Sequence, residues 1–152
     1  MNLFDLRNPF VAIIVLGSLI ILIYSSWGIY AVSERSRQFD QFEQYRAHWQ
    51  SLNLQNYAYV IEEGCMLSSR TSATVQKGEH FFEQFEKQHL GGKATIAYLF
   101  DQTEQAIKEA HQLELRYNSD YGFPEEIRVD WSKDIIDDEC SYRVTDFKQN
   151  VL

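Results

Sequence analysis

Tyr57-Ala-Tyr-Val-Ile-Glu-Glu-Gly-Cys-Met-Leu67 is the first segment of this chain with the pattern of a β-strand. Apolar and polar residues alternate along it, so Tyr57, Tyr59, Ile61, Cys65 and Leu67 fall on one face, which is the period of a half-buried strand. Downstream, a polar turn over 68–72 leads to a second strand, Ala73-Thr-Val-Gln-Lys77. Gly78 can close a hairpin there into His80-Phe-Phe-Glu-Gln-Phe85, a segment between strand and loop in character. The two-residue period returns in Leu113-Glu-Leu-Arg-Tyr117 and after Pro124, where Ile127, Val129 and Trp131 alternate against Glu126, Arg128 and Asp130. Cys140-Ser-Tyr-Arg-Val144 reads as the last strand. Between the two groups of strands, Leu90-Gly-Gly-Lys93 is a linker into a helix capped by Thr95, whose Ile96, Leu99, Phe100, Thr103, Ile107 and Ala110 share one face. Hairpin spacings with one amphipathic helix predict an α+β fold: a mainly antiparallel sheet of about five strands packed against that helix.

Upstream of Tyr57 the period changes. Phe39, Phe42, Arg46 and Trp49 recur at three- and four-residue spacings in a run without Gly or Pro, which predicts an amphipathic helix over 34–53. Its aromatic stripe packs on the chain's own domain, two heptads being too short for a coiled coil, or else meets a partner through Phe39, Phe42 and Trp49. Before it, no charged side chain occurs between Asn8 and Ser33, and 9–32 is long enough as a helix to cross a hydrocarbon core of about 30 Å. Tyr24, Trp27 and Tyr30 gather at the end of this segment, where amphipathic rings settle among headgroups. The expected organisation is a transmembrane signal anchor over 1–33, a stalk helix over 34–53 and a small α+β domain over 54–152. A cleaved export signal is the alternative, but bulky Trp27, Ile29 and Tyr30 follow the apolar run where small residues would precede a cleavage site.

Asp5 and Arg7 cancel, so the whole formal charge of −8 belongs to the part beyond the apolar run. Such a surface repels nucleic acid, which is discounted as a partner. The flanking arginines, Arg7 before the run and Arg35 and Arg37 after it, slightly favour a cytoplasmic domain. The length of the translocated part, its acidity and an even pair of cysteines argue for the opposite side of the membrane. The expectation is a single-pass protein of the bacterial inner membrane with its domain in the periplasm, and an envelope or membrane protein as partner.

From Trp49 onward the chain resembles a family of small bacterial exported domains, often lipoproteins, of unknown function. The resemblance is carried by Trp49, Tyr57 and Tyr59, Cys65, Val75 with Gly78, Thr95-Ile-Ala-Tyr-Leu-Phe100, and Tyr121-Gly-Phe-Pro-Glu-Glu-Ile-Arg-Val-Asp130. It implies an exported α+β domain and supplies no activity. Members similar to this chain tend to carry a second Cys near the first and a lipid-bearing Cys at the N-terminus, and this chain has neither.

Cys65 and Cys140 fall on inward phases of their strands and are a disulfide candidate if the first and last strands are neighbours; two buried thiols are the alternative. A nucleophilic role for Cys65 is disfavoured by Glu62 and Glu63, which would raise its pKa. His48, His80, His89 and His111 form no pair at metal-binding spacing. Asp134, Asp137, Asp138 and Glu139 offer hard oxygen ligands for a weak calcium site, without the spacing of an EF-hand. Glu125 and Glu126 are marked only by the neighbouring Pro124. No catalytic residue and no cofactor is expected. The preferred reading is a membrane-anchored interaction module, followed by a small-ligand or divalent-cation binding domain and, third, an uncharacterised hydrolase.

Overall fold

The computed structural model describes residues 9–65, 67–84, 94–135 and 138–150, with the backbone alone described at 27–33 and 84. Helix α1 runs Pro9–Leu52, followed by strands β1 (Tyr57–Gly64), β2 (Ser68–Gln76) and β3 (Glu79–Gln84). Helix α2 (Ile96–Glu109) then precedes β4 (Gln112–Tyr117), β5 (Pro124–Asp130) and β6 (Cys140–Gln149). The strands form one antiparallel sheet in the order β3-β2-β1-β6-β5-β4. The α+β class holds, with six strands where the sequence suggests about five.

The sixth strand is β3, the segment between strand and loop in character, and the hydroxyl-rich 68–72 segment is strand and not turn. Ser68 pairs with Gly64 and Thr71 with Ile61, extending β2 backward over the length of β1. Ser69 and Thr71 are buried, so small hydroxyl side chains here occupy inward positions that apolar residues fill elsewhere. β1 correspondingly stops at Gly64, leaving Leu67 60% exposed and off the inward face. The β2–β3 hairpin turns on Lys77 (φ 53°) and Gly78 (φ 82°), the left-handed pair that matches the twist of the flanking strands.

α2 begins as its sequence indicates, with Thr95 Oγ1 accepting from the Tyr98 N–H at 3.0 Å. Ile96, Leu99, Phe100, Thr103, Ala106 and Ile107 are buried on its inner face. Thr103 satisfies its hydroxyl within the helix by donating to Leu99 O at 2.8 Å. These side chains pack against Tyr59, Ile61, Ile127, Val129, Tyr142 and Val144 from the sheet.

The chain divides into two compact units, Met1–Gln38 and Phe39–Leu152. Within the first, 9–26 is long and apolar enough to cross a membrane, and none of its residues is buried in the protein. Within the second, the last turns of α1 are part of the core. Phe42 is wholly buried, with Phe39 and Trp49 packed beside it. Trp49 meets Tyr57, Phe123 and Phe147 edge-on at ring separations of 5.5, 5.6 and 6.1 Å. Arg46 lies over the Phe42 ring and reaches Glu104 of α2 at 3.3 Å. Such edge-on contacts add about 0.5–1.5 kcal/mol each to the area they bury.

Candidate functional site

One face of the sheet is covered by the last turns of α1, from Phe39 on, and by α2; the other carries an ordered array of charge. Because side chains alternate along each strand, the face opposite Tyr59, Ile61, Ile127 and Val144 receives Arg70, Glu62, Arg143, Glu126 and Arg116. The registers set these five directly opposite one another across β2, β1, β6, β5 and β4, so sign alternates at every strand. Arg70 approaches Glu62 at 3.5 Å, Arg143 approaches Glu126 at 2.7 Å, and Arg116 approaches Glu126 at 3.0 Å. Arg128 adds a third cation to Glu126 at 2.8 Å and spans to Glu114 at 3.4 Å. Arg116 also pairs with Glu125, the extra residue of a bulge in β5.

Glu126 is the centre of this array. Its side chain is only 18% exposed, while its three arginine partners are about half exposed. Hydrogen bonds from Arg143 and Arg116 favour its charged form most strongly and hold its pKa down to about 2. Reciprocally, the bond to Glu126 raises Arg143. A carboxylate held this way is a poor proton donor or acceptor near neutral pH. Its signal was present in the sequence as Glu114/Arg116 and Glu126/Arg128 on the outward phases of two strands. Only the registers convert those into one row.

A family described as "Family of unknown function (DUF6174)" matches residues 41–149. The chain belongs to this family. No curated protein and no solved structure matches it. The DUF6174 match opens inside α1, within the compact unit that starts at Phe39, so the last turns of α1 are part of the family's domain. The Gly-Phe-Pro segment of the DUF6174 domain has a physical reason for each residue. Gly122 adopts φ +81°, and a Cβ there would lie 2.8 Å from Tyr45 O of α1. Phe123 and Ile127 are buried in the core, and Pro124 is buried at the start of β5. The Asn118–Phe123 turn is held against the helix by His48 Nε2, 3.1 Å from Asp120 O.

Cys65 and Cys140 of this DUF6174 domain are joined in a disulfide, with Cα atoms 4.2 Å apart. The bond ties the end of β1 to the start of β6, adjacent strands in the sheet. It borders an open concavity of about 1050 Å³ lined by Gly64, Glu114, Arg128, Asp130, Lys133 and Glu139 among others. Of the acidic segment beyond β5, Asp134 and Glu139 are exposed, Asp138 has a buried Oδ1 without a hydrogen-bond partner, and Asp137 lies outside the described residues. Among the described residues no group of three or more His, Cys, Asp or Glu is arranged to hold a metal ion. Phe39, Phe42 and Trp49 are brought together, but in the domain's own core; Phe42, with no exposed surface, has none to offer a partner.

Proposed function

We propose that this chain is a single-span protein of the bacterial inner membrane whose DUF6174 domain stands in the periplasm as a non-catalytic interaction module. The observation that carries the reading is the contrast between two parts. Residues 9–26 form an apolar helix with no residue buried in the protein, while Phe39–Leu152 has its own complete core. An apolar helix without a protein partner fits a lipid environment. The disulfide fits an oxidising compartment. The partner is an envelope or membrane protein, and its docking surface is the open sheet face around Glu126, where half-exposed arginines and glutamates in alternation would fix register and orientation.

Two measurements test this. In spheroplasts treated with an impermeant reductant, an impermeant thiol reagent should label Cys65 and Cys140 without lysis; labelling only after lysis would place the domain in the cytoplasm. A photo-crosslinking residue at Ser72 or Thr74 on the open face should give a discrete adduct in membranes, while the same residue at Gln44 on the exposed side of α1 should not. Adducts of equal yield from both positions would count against the face.

A second reading is a divalent-cation or small-ligand site in the concavity beside the disulfide, whose lining includes the carboxylates of Glu114, Asp130 and Glu139. Millimolar calcium should then raise the melting temperature, and an unchanged transition would dispose of it.

A further inference from the structure

β4 is the last strand of the sheet, and among the described residues no strand pairs with the backbone along its outer side. The bulge in β5 fixes which groups these are. Asn118 donates its N–H to Phe123 O at 2.9 Å, and Tyr117 stands opposite Pro124, which has no N–H to give. Bonding alternates along an antiparallel strand. The extra residue of the bulge, Glu125, belongs to β5, so the alternation in β4 is unbroken: Gln112, Glu114 and Arg116 turn their backbone groups toward β5, and Leu113, Leu115 and Tyr117 turn theirs outward.

We infer that β4 pairs with β4 of a second copy of this chain, antiparallel about a two-fold axis at Leu115, joining two six-stranded sheets into one of twelve. In that register Leu113, Leu115 and Tyr117 exchange backbone hydrogen bonds with Tyr117, Leu115 and Leu113 of the other copy. Glu114 then stands opposite Arg116 of the second copy, and Arg116 opposite its Glu114. The charge row of the open face therefore continues across the junction without a break in sign, from Glu126 and Arg116 to Glu114 and Arg128 of the second copy. Leu115 meets its own equivalent, and Leu113 meets Tyr117, on the helix-covered side.

Charge selects this register over its neighbours. Moving the axis to Glu114 sets two glutamates face to face, and moving it to Arg116 sets two arginines face to face; like charges directly opposed are destabilising. A slip by one residue turns one sheet over and places leucines opposite charged residues. The other edge, β3, lacks the self-complementarity: an axis at Phe81 opposes Glu79 with Glu83.

Charge reversal tests it on the full-length chain in detergent micelles, by sedimentation. The wild-type chain should dimerise. Glu114→Arg leaves two arginines facing two arginines, and Arg116→Glu leaves glutamates facing glutamates, so each alone should dissociate with a dissociation constant raised about tenfold or more. Mixed in equal amounts they restore complementarity and should form a 1:1 heterodimer. A monomeric wild type, a dimer that survives either reversal, or a mixture that stays monomeric would each overturn the pairing. Should the reversals fail to fold by circular dichroism, Leu115→Cys provides the second test. Mild oxidation should cross-link it to its own equivalent, whereas Gln112→Cys, far from its equivalent in this register, should not cross-link. Equal cross-linking at both positions, or none at Leu115→Cys, refutes the axis.

Discussion

Replacing Cys65 and Cys140 together by serine removes a cross-link between residues 75 apart in sequence. In the unfolded chain that cross-link excludes every conformation in which the two ends of the loop are far apart. For a loop of this length the chain-entropy relation gives about 15 cal/mol/K, or about 4.5 kcal/mol at 25 °C. The compact unit Phe39–Leu152 holds roughly 110 residues, whose unfolding entropy of about 2.1 cal/mol/K each sums to roughly 230 cal/mol/K. Dividing one by the other predicts a melting temperature lowered by about 15–20 °C. Because β1 and β6 are already paired from Tyr57 to Gly64, the native sheet needs no cross-link to hold its register, and the reduced fold should be the same fold with a lower melting point. The assay is thermal denaturation followed by circular dichroism on the full chain in detergent, comparing wild type, wild type with dithiothreitol, and the double variant. Reduction and substitution should agree. A shift below about 5 °C would refute the argument that the bond acts mainly by constraining the unfolded chain.

Gly122→Ala combines a left-handed backbone with a Cβ 2.8 Å from Tyr45 O, and should destabilise by about 2–4 kcal/mol, read from urea unfolding; an unchanged midpoint would mean the turn is not pressed against α1. Phe42→Ala should cost about 3–5 kcal/mol as a core cavity, whereas a stripe serving only a partner would leave stability untouched. Glu126→Gln tests the charge array through pH. Since the carboxyl is depressed in the fold to about 2, its stabilisation is present above the ordinary carboxylate pKa and lost as pH falls through the folded value. The difference between wild type and variant should be about 1 kcal/mol, reduced by the half-exposed arginines, flat above pH 5 and closing between about 4.5 and 2. A gap that persists unchanged at pH 2 would show that the carboxylate's charge is not its source.

Much of the fold is local and therefore readable along the chain. The two-residue alternation of Tyr57-Ala-Tyr-Val-Ile61 and the 3.6-residue period of α2 follow from backbone geometry, as does the Lys77-Gly78 turn. The apolar run at 9–26 is equally a matter of composition. The 68–72 segment was misleading because Ser and Thr favour turns by local hydrogen bonding, whereas here pairing with all of β1 overrides that preference. The aromatic stripe at Phe39, Phe42 and Trp49 was visible, but its destination depended on Phe100, Phe123 and Phe147, distant in sequence.

Composition and periodicity along the chain settle most of the elements and inward faces, with 68–72 and Leu67 the exceptions, together with the acidity of the part beyond the apolar run and the pair of cysteines. Tertiary structure alone decided strand order, and with it that β1 and β6 are neighbours, so that Cys65 meets Cys140. It also decided that Arg70, Glu62, Arg143, Glu126 and Arg116 share one row ending at β4, the last strand of the sheet. The physical reason is the same for both: side-chain alternation is set within a strand, but which residue stands opposite which is set by register, and register is a property of pairs of strands.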